Sequence, residues 1–539
     1  MADEEPTETE PLVQEEPKEE ESPAADETAA GGAGESKDEK EDGDAEKGGE
    51  KDEGEESEKE SWAVGESDSC FHFPDFIFML AWLGSVLLVF VLAMTYGISA
   101  IENLDDIIET VEKYNDDLTA AASSYKILYI PSLAFAASAV LCIVWVVVMI
   151  LCGTCILWSF FYGIIALCLA CAIYCFTIYP YVAYAFLAAA GLVGLWAWCI
   201  RGRLNFAGKT LEIACHVISW YNSLVWMSLL MLALTGVYLA LWVVGFVGLF
   251  VYLQYDSNDD DMTGGWFEEM LVYFTYIVFF FWTAEVLKNI VVVAVAGVMA
   301  DWWKGEGGVS PVMHAFCRAT TYNLGAITMG SLIVAIVLAI DAVCRGLKKF
   351  GDKMGQWWLS AAIDVILVIN KCIICCLEWI TGYVYTYVGI YGNSFIWAGG
   401  KTFALLATNG VTMAMNDSLV QMVITIGSVI VGLGSAAVSV VLVEDTDWAD
   451  TYPSDSTTQT AWEMASFGWA IGWMVAGVVF GLVAAGNKAV LVLWIEHPQS
   501  LKKQHEKYYD ELHDIWTNQL GFKTKGDEEA EGGCCGCCS

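Results

Sequence analysis

Apolar residues gather along this chain in long runs. A helix rises about 1.5 Å per residue, so roughly 20 apolar residues cross a hydrocarbon core of about 30 Å. Runs of that kind fall at 76–99, 130–152, 155–176, 181–200, 222–253, 270–300, 323–343, 419–443 and 468–494. The stretch 357–391 is also apolar but carries Asp364, Lys371 and Glu378. It reads either as a tenth span turned toward the protein interior or as a helix lying at the interface. In lipid every backbone polar group needs an internal partner, which leaves helices as the natural reading of such runs. The pattern predicts an all-α polytopic membrane protein with about ten transmembrane helices.

The polar segments between the runs set an orientation. Loop 100–129 has seven acids and two lysines, whereas 254–269 and 444–463 each have six acids and no base. By contrast, 201–212 carries Arg201, Arg203 and Lys209, and the C-terminal tail carries Lys502, Lys503 and Lys507. The positive-inside rule places the N-terminus in the cytosol and the three acidic loops outside. The C-terminus then also lies inside, which requires an even number of spans and favours ten. One region conflicts with this count. Residues 345–353 hold Arg345, Lys348, Lys349 and Lys353 on what would be the outer side. Either the seventh span is broken or a re-entrant segment lies between 323 and 400.

Composition divides the chain further. Its 539 residues are 56% hydrophobic and 17% charged, with a formal net charge of −40. Residues 1–69 hold 28 acids against 6 Lys/Arg, a net of −22; the remainder holds 38 against 20, a net of −18. The head cannot bury enough apolar surface to offset the entropy of ordering and is expected to be a disordered, cytosolic acidic tail. Residues 70–500 then form the transmembrane domain and 501–539 a cytosolic tail. This composition excludes a soluble enzyme with one ordinary core, and so acidic a chain is no nucleic-acid binder.

The 18 cysteines sort by location. Cys168, Cys171 and Cys175 share a helical face within an apolar run, where charged thiolates would be costly, so packing is favoured over a metal cluster. In the final GGCCGCCS a CaaX box would need Cys at position 536, which is Gly. Cys534, Cys535, Cys537 and Cys538 read better as S-acylation sites on a cytosolic tail, against an inert tail. DSNDDD at 256–261 lacks the glycine and glutamate of an EF-hand loop. No P-loop, GxSxG, HExxH or dinucleotide fingerprint occurs, so neither catalysis nor a cofactor is expected. Asn416-Asp-Ser418 is the one N-x-S/T sequon and falls on the expected cytosolic side.

The run FTYIVFFFWTAEVLKNIVVVAVAG is the most informative. Glu285 sits near its middle with Lys288 one turn later, and Trp282 and Asn289 flank the same face. A charge at that depth costs at least about 2.5–3.5 kcal/mol on insertion scales, so it should be paired and face the bundle interior. Two readings stand: an ion pair that sets helix register, and a substrate- or proton-binding face. Trp145, Trp158, Tyr174, Trp226, Tyr238, Trp242, Tyr273 and Tyr276 crowd the central spans. Most would be interfacial anchors, while a few at mid-span, with Tyr276 the candidate carried forward, would cage a quaternary ammonium by its charge. Glycines at 427, 432, 434, 468, 472, 477, 481 and 486 suit close helix packing or, alternatively, bent helices along a transport path.

Several stretches resemble the choline transporter-like family, and especially its fungal pH-nine-sensitive branch. They are FFFWTAEVLKNIVVVAVAGVMADWW at 279–303, CRATTYNLGAITMGSLIVAIV at 317–337, CLEWITGYVYTYVGIYGNSF at 376–395 and NKAVLVLWIEHPQSLKKQHEKYYDELHDIW at 487–516. With the span pattern, the resemblance covers about 70–520. It implies a ten-span plasma-membrane protein with both termini cytosolic, moving choline or a related amine by facilitated or proton-coupled exchange. By motif, Trp282, Glu285, Lys288 and Asn289 fall in the family's sixth-span signature, and Gly325 and Gly330 in the seventh. Animal members have a much larger, glycosylated first exterior loop than the segment here. A secondary transporter for choline-like cations is therefore the leading expectation. The runner-up is a non-transporting membrane scaffold or lipid-handling protein, and an ion channel ranks last because no continuous polar pore face is legible.

Overall fold

The computed structural model describes residues 75–98, 126–176, 179–256, 266–305, 310–445 and 457–524. The acidic head, the three acidic loops in large part and Cys534, Cys535, Cys537 and Cys538 lie outside the described residues. Every regular element among those described is helical: α1 (Phe76–Leu92, continued by a π turn, Ala93–Gly97), α2 (Lys126–Phe176), α3 (Pro180–Cys199), α4 (Arg201–Trp220), α5 (Ser223–Asp256), α6 (Trp266–Lys304) and α7 (Pro311–Thr320). There follow α8 (Leu324–Lys353), α9 (Trp357–Tyr391), α10 (Phe395–Asp445), α11 (Thr457–Glu496), α12 (Pro498–Gln504) and α13 (Glu506–Asp514, continued by a π turn, Ile515–Gln519).

Nine of these described helices are long and apolar enough to cross a bilayer. One of them, Ser132–Phe176, has 45 residues, a length of about 68 Å, twice what one crossing needs. It breaks at Cys152, whose φ of −140° and ψ of 27° are not helical. Each side of the break is long enough for one crossing. The two predicted spans at 130–152 and 155–176 are thus one interrupted helix, and the described helices supply ten membrane-length segments.

Local chemistry sets several of the boundaries. Pro180, Pro311 and Pro498 open α3, α7 and α12, where a missing N–H leaves no hydrogen bond unmade. Gly392, with φ 69°, closes α9 in the left-handed conformation that stops a helix. Between α8 and α9 the chain turns at Gly355, also φ 69°.

That turn corrects the expectation for 323–400. Helix α8 is unbroken over 30 residues, α9 is a full helix of 35, and no re-entrant segment lies between them. Two of the four basic residues that conflicted with the charge count are compensated locally. Arg345 Nε lies 2.6 Å from Asp341, and Lys348 Nζ lies 2.5 Å from Asp364 across the hairpin. A loop-charge count registers only the lysines and arginines, not these partners within the helices.

Helix α10 also starts earlier than its apolar run, at Phe395 instead of about 419, because Lys401, Asn409, Asn416 and Asp417 mask the helix in a hydropathy reading. Helices α10 and α11 each run through their glycines as one continuous helix. Most of them serve packing: a Cβ on Gly472 would come 2.9 Å from the Cα of Gly432, so the two helices touch backbone to backbone.

Apolar side chains on α1, α2 and α3 point away from the protein, with Ile77, Leu151, Ile173 and Tyr181 largely exposed. Surface of this kind is stable against hydrocarbon and not against water. The packed core lies instead among α4, α6, α8, α9, α10 and α11, where Trp303, Trp494, Tyr383, Tyr385 and Tyr387 are fully buried.

Several chain ends meet at one end of this core. The amide of Phe395 donates to Asp75 Oδ2 at 2.8 Å, which joins the starts of α10 and α1. Trp303 Nε1 donates to the carbonyl of His497 at 2.9 Å, which joins the ends of α6 and α11. Helix α4 buries one face, including Leu204, Phe206 and Leu211, and its Lys209 pairs with both Glu212 and Glu511 of α13. Burial opposes charge on Lys209, but the two carboxylates outweigh it and raise its pKa above the ordinary value. His505 stacks on Trp302 with ring centroids 4.1 Å apart. Burial lowers the His505 pKa; the hydrogen bond between its ring and the Trp302 carbonyl offsets part of this, and His216 adds to the lowering.

Candidate functional site

Helix α6 carries the central residues. Its sequence places Trp282, Glu285, Lys288 and Asn289 at i−3, i, i+3 and i+4, so all four lie on neighbouring parts of one face. Glu285 is 9% exposed. Its Oε1 accepts a hydrogen bond from Lys288 Nζ at 2.7 Å, and its Oε2 one from Asn289 Nδ2 at 3.4 Å. Asn289 also donates to Ser331 Oγ of α8 at 3.0 Å, and that hydroxyl lies 3.2 Å from Tyr385 Oη of α9. A carboxylate at membrane depth is thus held by a polar chain across three helices. Each link replaces hydration that hydrocarbon cannot provide.

The four residues divide into two roles. Glu285 and Lys288 line a cavity of about 570 Å³ between α5, α6 and α11, with Ser228, Thr235, Gly477 and Gly481 among its walls. Nothing approaches a Cβ built on Gly477 or Gly481, so these two glycines widen the cavity instead of packing helices. Trp282 and Asn289 stand behind that wall. The Trp282 indole donates to the carbonyl of Thr328 at 2.8 Å, fastening α6 to α8.

Tyr276 lies elsewhere. It is nine residues before Glu285, about 13 Å along the helix, and packs with Val89, Tyr238 and Leu249 in a separate cluster. Its hydroxyl donates to the carbonyl of Trp242 at 3.1 Å, while the Trp242 indole donates back to the Tyr276 carbonyl at 2.9 Å. The structure does not bring Tyr276 to the Glu285 cavity. Gly330, from the seventh-span motif, sits against Phe395 and Tyr385 and leaves room for them.

Three further ionisable residues extend the site. Lys288 Nζ lies 3.9 Å from Glu378 of α9. Lys488 of α11 interacts through space with both Glu378 and Lys288, and with Asp417 of α10. Asp417 Oδ2 accepts from Tyr383 Oη at 2.7 Å and from Trp379 Nε1 at 2.8 Å. The order Glu285, Lys288, Glu378, Lys488, Asp417 alternates in sign across four helices. It holds three carboxylates against two ammonium groups, so when fully ionised it carries one surplus negative charge.

The sequence signalled part of this chain. Lys488 falls inside the predicted run 468–494 and, as a charge within a span, is the kind of residue that marks a site. Asp417 stood just outside its run. Asn416, beside it, is 2% exposed inside α10 and accepts from Thr210 at 3.3 Å, so the sequon there is closed to modification.

An all-helical bundle with lipid-facing outer helices and a charged chain in its interior is a multi-pass membrane protein. Residues 184–499 match the family described as plasma-membrane choline transporter, and the chain belongs to that family. The match starts later than the resemblance drawn from motifs, which began near residue 70. Among curated proteins the chain is 26% identical over 358 residues to Protein PNS1 of Debaryomyces hansenii, covering 65% of this chain and 69% of that one. It is 25% identical over 343 residues to Protein PNS1 of Yarrowia lipolytica, covering 61% of this chain and 58% of that one. With Protein PNS1 of Mycosarcoma maydis it shares 29% identity over 246 residues, 44% of either chain.

Proposed function

We propose that the chain is a secondary transporter that moves choline or a related organic cation across the plasma membrane. The surplus carboxylate of the interior charge chain carries this reading. Glu285 opens onto the cavity of about 570 Å³, and a monovalent cation entering there would neutralise the chain. The residues proposed to meet the substrate are Glu285 and Lys288 in the wall. Trp282 and Asn289 hold that wall in register, and Tyr276 supports α6 against α5. Alternating access would expose the cavity first to one face of the membrane and then to the other.

The charge pattern supports a cytosolic location for both termini. Arg201, Arg203, Lys502 and Lys503 belong to segments gathered at the end of the core where α1 starts and α11 finishes. The positive-inside rule makes that end cytosolic. Ten crossings then bring the chain back to its starting side. Under this reading residues 1–69 and 501–539 are cytosolic tails, the latter acylated at Cys534, Cys535, Cys537 and Cys538.

The test is uptake of radiolabelled choline by the full chain in liposomes. Glu285→Gln removes the surplus charge and should lower uptake at least about tenfold, and Trp282→Ala should lower it by misplacing α6. Unchanged uptake in both, at equal protein incorporation, overturns the site. Uptake compared between about pH 5 and 8 separates plain facilitated movement, which would be flat, from proton-coupled exchange. Deleting residues 1–69 should leave uptake intact; a scaffold working through its acidic head would instead lose partner recruitment.

A further inference from the structure

A second cavity, of about 450 Å³, lies on the other side of α11, between α9, α10 and α11. It differs from the Glu285 cavity in carrying a carboxylate and an ammonium that are not bonded to each other. Asp417 and Lys488 both line it. Among the described residues no carboxylate oxygen comes within 4.0 Å of Lys488 Nζ. The ammonium lies 5.1 Å over the ring of Tyr383 and against Gly382, where any Cβ would collide with it. Asp417 spends Oδ2 on Tyr383 and Trp379, and no donor among the described residues reaches Oδ1.

A third wall residue makes the cavity specific. Asn487 is 1% exposed, and its buried Oδ1 has no hydrogen-bond partner. An unpaired buried acceptor costs about 1–3 kcal/mol, which a ligand carrying an N–H or O–H donor would recover. A separated pair of opposite charges, with an acceptor in need of a donor, matches a zwitterion whose positive end is a primary ammonium.

The walls of the cavity bear on where such a molecule comes from. Asp417 stands two residues before the apolar run 419–443, and Lys488 six residues before the end of the run 468–494. Both residues fall inside helices long and apolar enough to cross a bilayer, Phe395–Leu442 and Trp462–Glu496. The mouth of the cavity is formed by exposed residues, Cys375, Cys376, Ser418 and Gln421. It opens on the outer surface of a membrane-spanning bundle, where a lipid as well as a soluble molecule can reach it.

We propose that this cavity binds the phosphoethanolamine group, with the primary ammonium donating to Asp417 Oδ1 and Asn487 Oδ1 and the phosphate facing Lys488. Phosphatidylethanolamine and free phosphoethanolamine present the same chemistry. A trimethylammonium headgroup has no N–H to give Asn487, and an anionic headgroup without an ammonium leaves Asp417 unmatched.

The experiment is calorimetric titration of the full chain in detergent with four probes: short-chain phosphatidylethanolamine, phosphatidylcholine and phosphatidylglycerol, and free phosphoethanolamine. Phosphatidylethanolamine should bind at least about tenfold more tightly than the other two lipids. Lys488→Met and Asp417→Asn should each weaken it by a similar factor. Because both residues are interior and their variants risk misfolding, Ser418→Trp at the exposed mouth provides the second test. It should block binding while thermal unfolding without lipid stays as in the parent. Free phosphoethanolamine binding as tightly as the lipid assigns the site to the soluble molecule; much weaker binding assigns it to the membrane lipid. Equal affinity for phosphatidylcholine or phosphatidylglycerol, or undiminished binding to Ser418→Trp, overturns the proposal.

Discussion

The most apolar 18-residue stretches of α3 and α6 have equal mean hydropathy, yet 17% of that stretch is buried in the protein for α3 against 56% for α6. Those two stretches look alike in hydropathy and do opposite things. Helix α3 shows its large side chains, such as Leu192, Leu195 and Trp198, to the surroundings. Helix α6 shows its own to α8, α9 and α11, and mixes among them Glu285 and Asn289. Hydropathy measures the cost of leaving water and so records that a helix enters the membrane. Which solvent its face meets there, lipid or protein, depends on polar groups that only protein can satisfy.

The sharpest way to break this contrast is to enlarge a glycine on each side of it. A Cβ on Gly389 would come 2.7 Å from that of Ala296, whereas nothing lies within 4 Å of one on Gly191 in α3. Gly389→Leu is expected to destabilise by about 3 kcal/mol or more through overpacking, and Gly191→Leu hardly at all. Thermal unfolding of both in the same detergent decides it, and equal effects would mean that α9 and α6 are not in the contact described. Next in size, Asn289→Leu deletes the donor shared by Glu285 and Ser331 and should cost about 1–3 kcal/mol. Wild-type stability in that variant would remove Asn289 from the network.

A smaller effect concerns the cap on the core. The His505 pKa is depressed in the folded state, so its contribution is present above the unfolded value of about 6.5 and is lost as pH falls through the lower folded value. Acidification should therefore loosen α12 and α13 from Trp302. Hydrogen-exchange protection over 498–514, corrected for the intrinsic rate at each pH, should fall as pH drops below about 6.5 in the parent and much less in His505→Phe; an identical loss in both would place the titration elsewhere. The smallest effect is expected from Leu192→Ala, at most about 0.5 kcal/mol because 67% of that side chain already faces outward. A loss of several kcal/mol there would reveal a protein neighbour on α3.

How far the chain can be read without coordinates follows the same divide. The apolar runs, the near-ten count and the Glu285–Lys288 pair were legible, because each depends on residues close together in sequence. The break at Cys152 was legible as the gap between the runs 130–152 and 155–176, whereas the helical continuity across all but that residue was not. The basic patch at 345–353 misled because Lys348 finds Asp364 across a turn, a partner sixteen residues away. Helix α4 was missed because its amphipathic face is apolar only in spacing and buries against segments as distant as α13.

At the candidate site the sequence determined that α6 would enter the membrane with a charge in its middle, and local spacing alone supplied that charge with Lys288. Tertiary structure decided the rest. It moved Tyr276 to another cluster, placed Trp282 and Asn289 behind the cavity wall, and brought Glu378, Lys488 and Asp417 into one alternating chain. Those three come from positions 378, 488 and 417, and no periodicity connects them. The reason is physical: a pair within one helix is fixed by the rise and turn of the backbone, whereas a network among four helices exists only after their faces have packed.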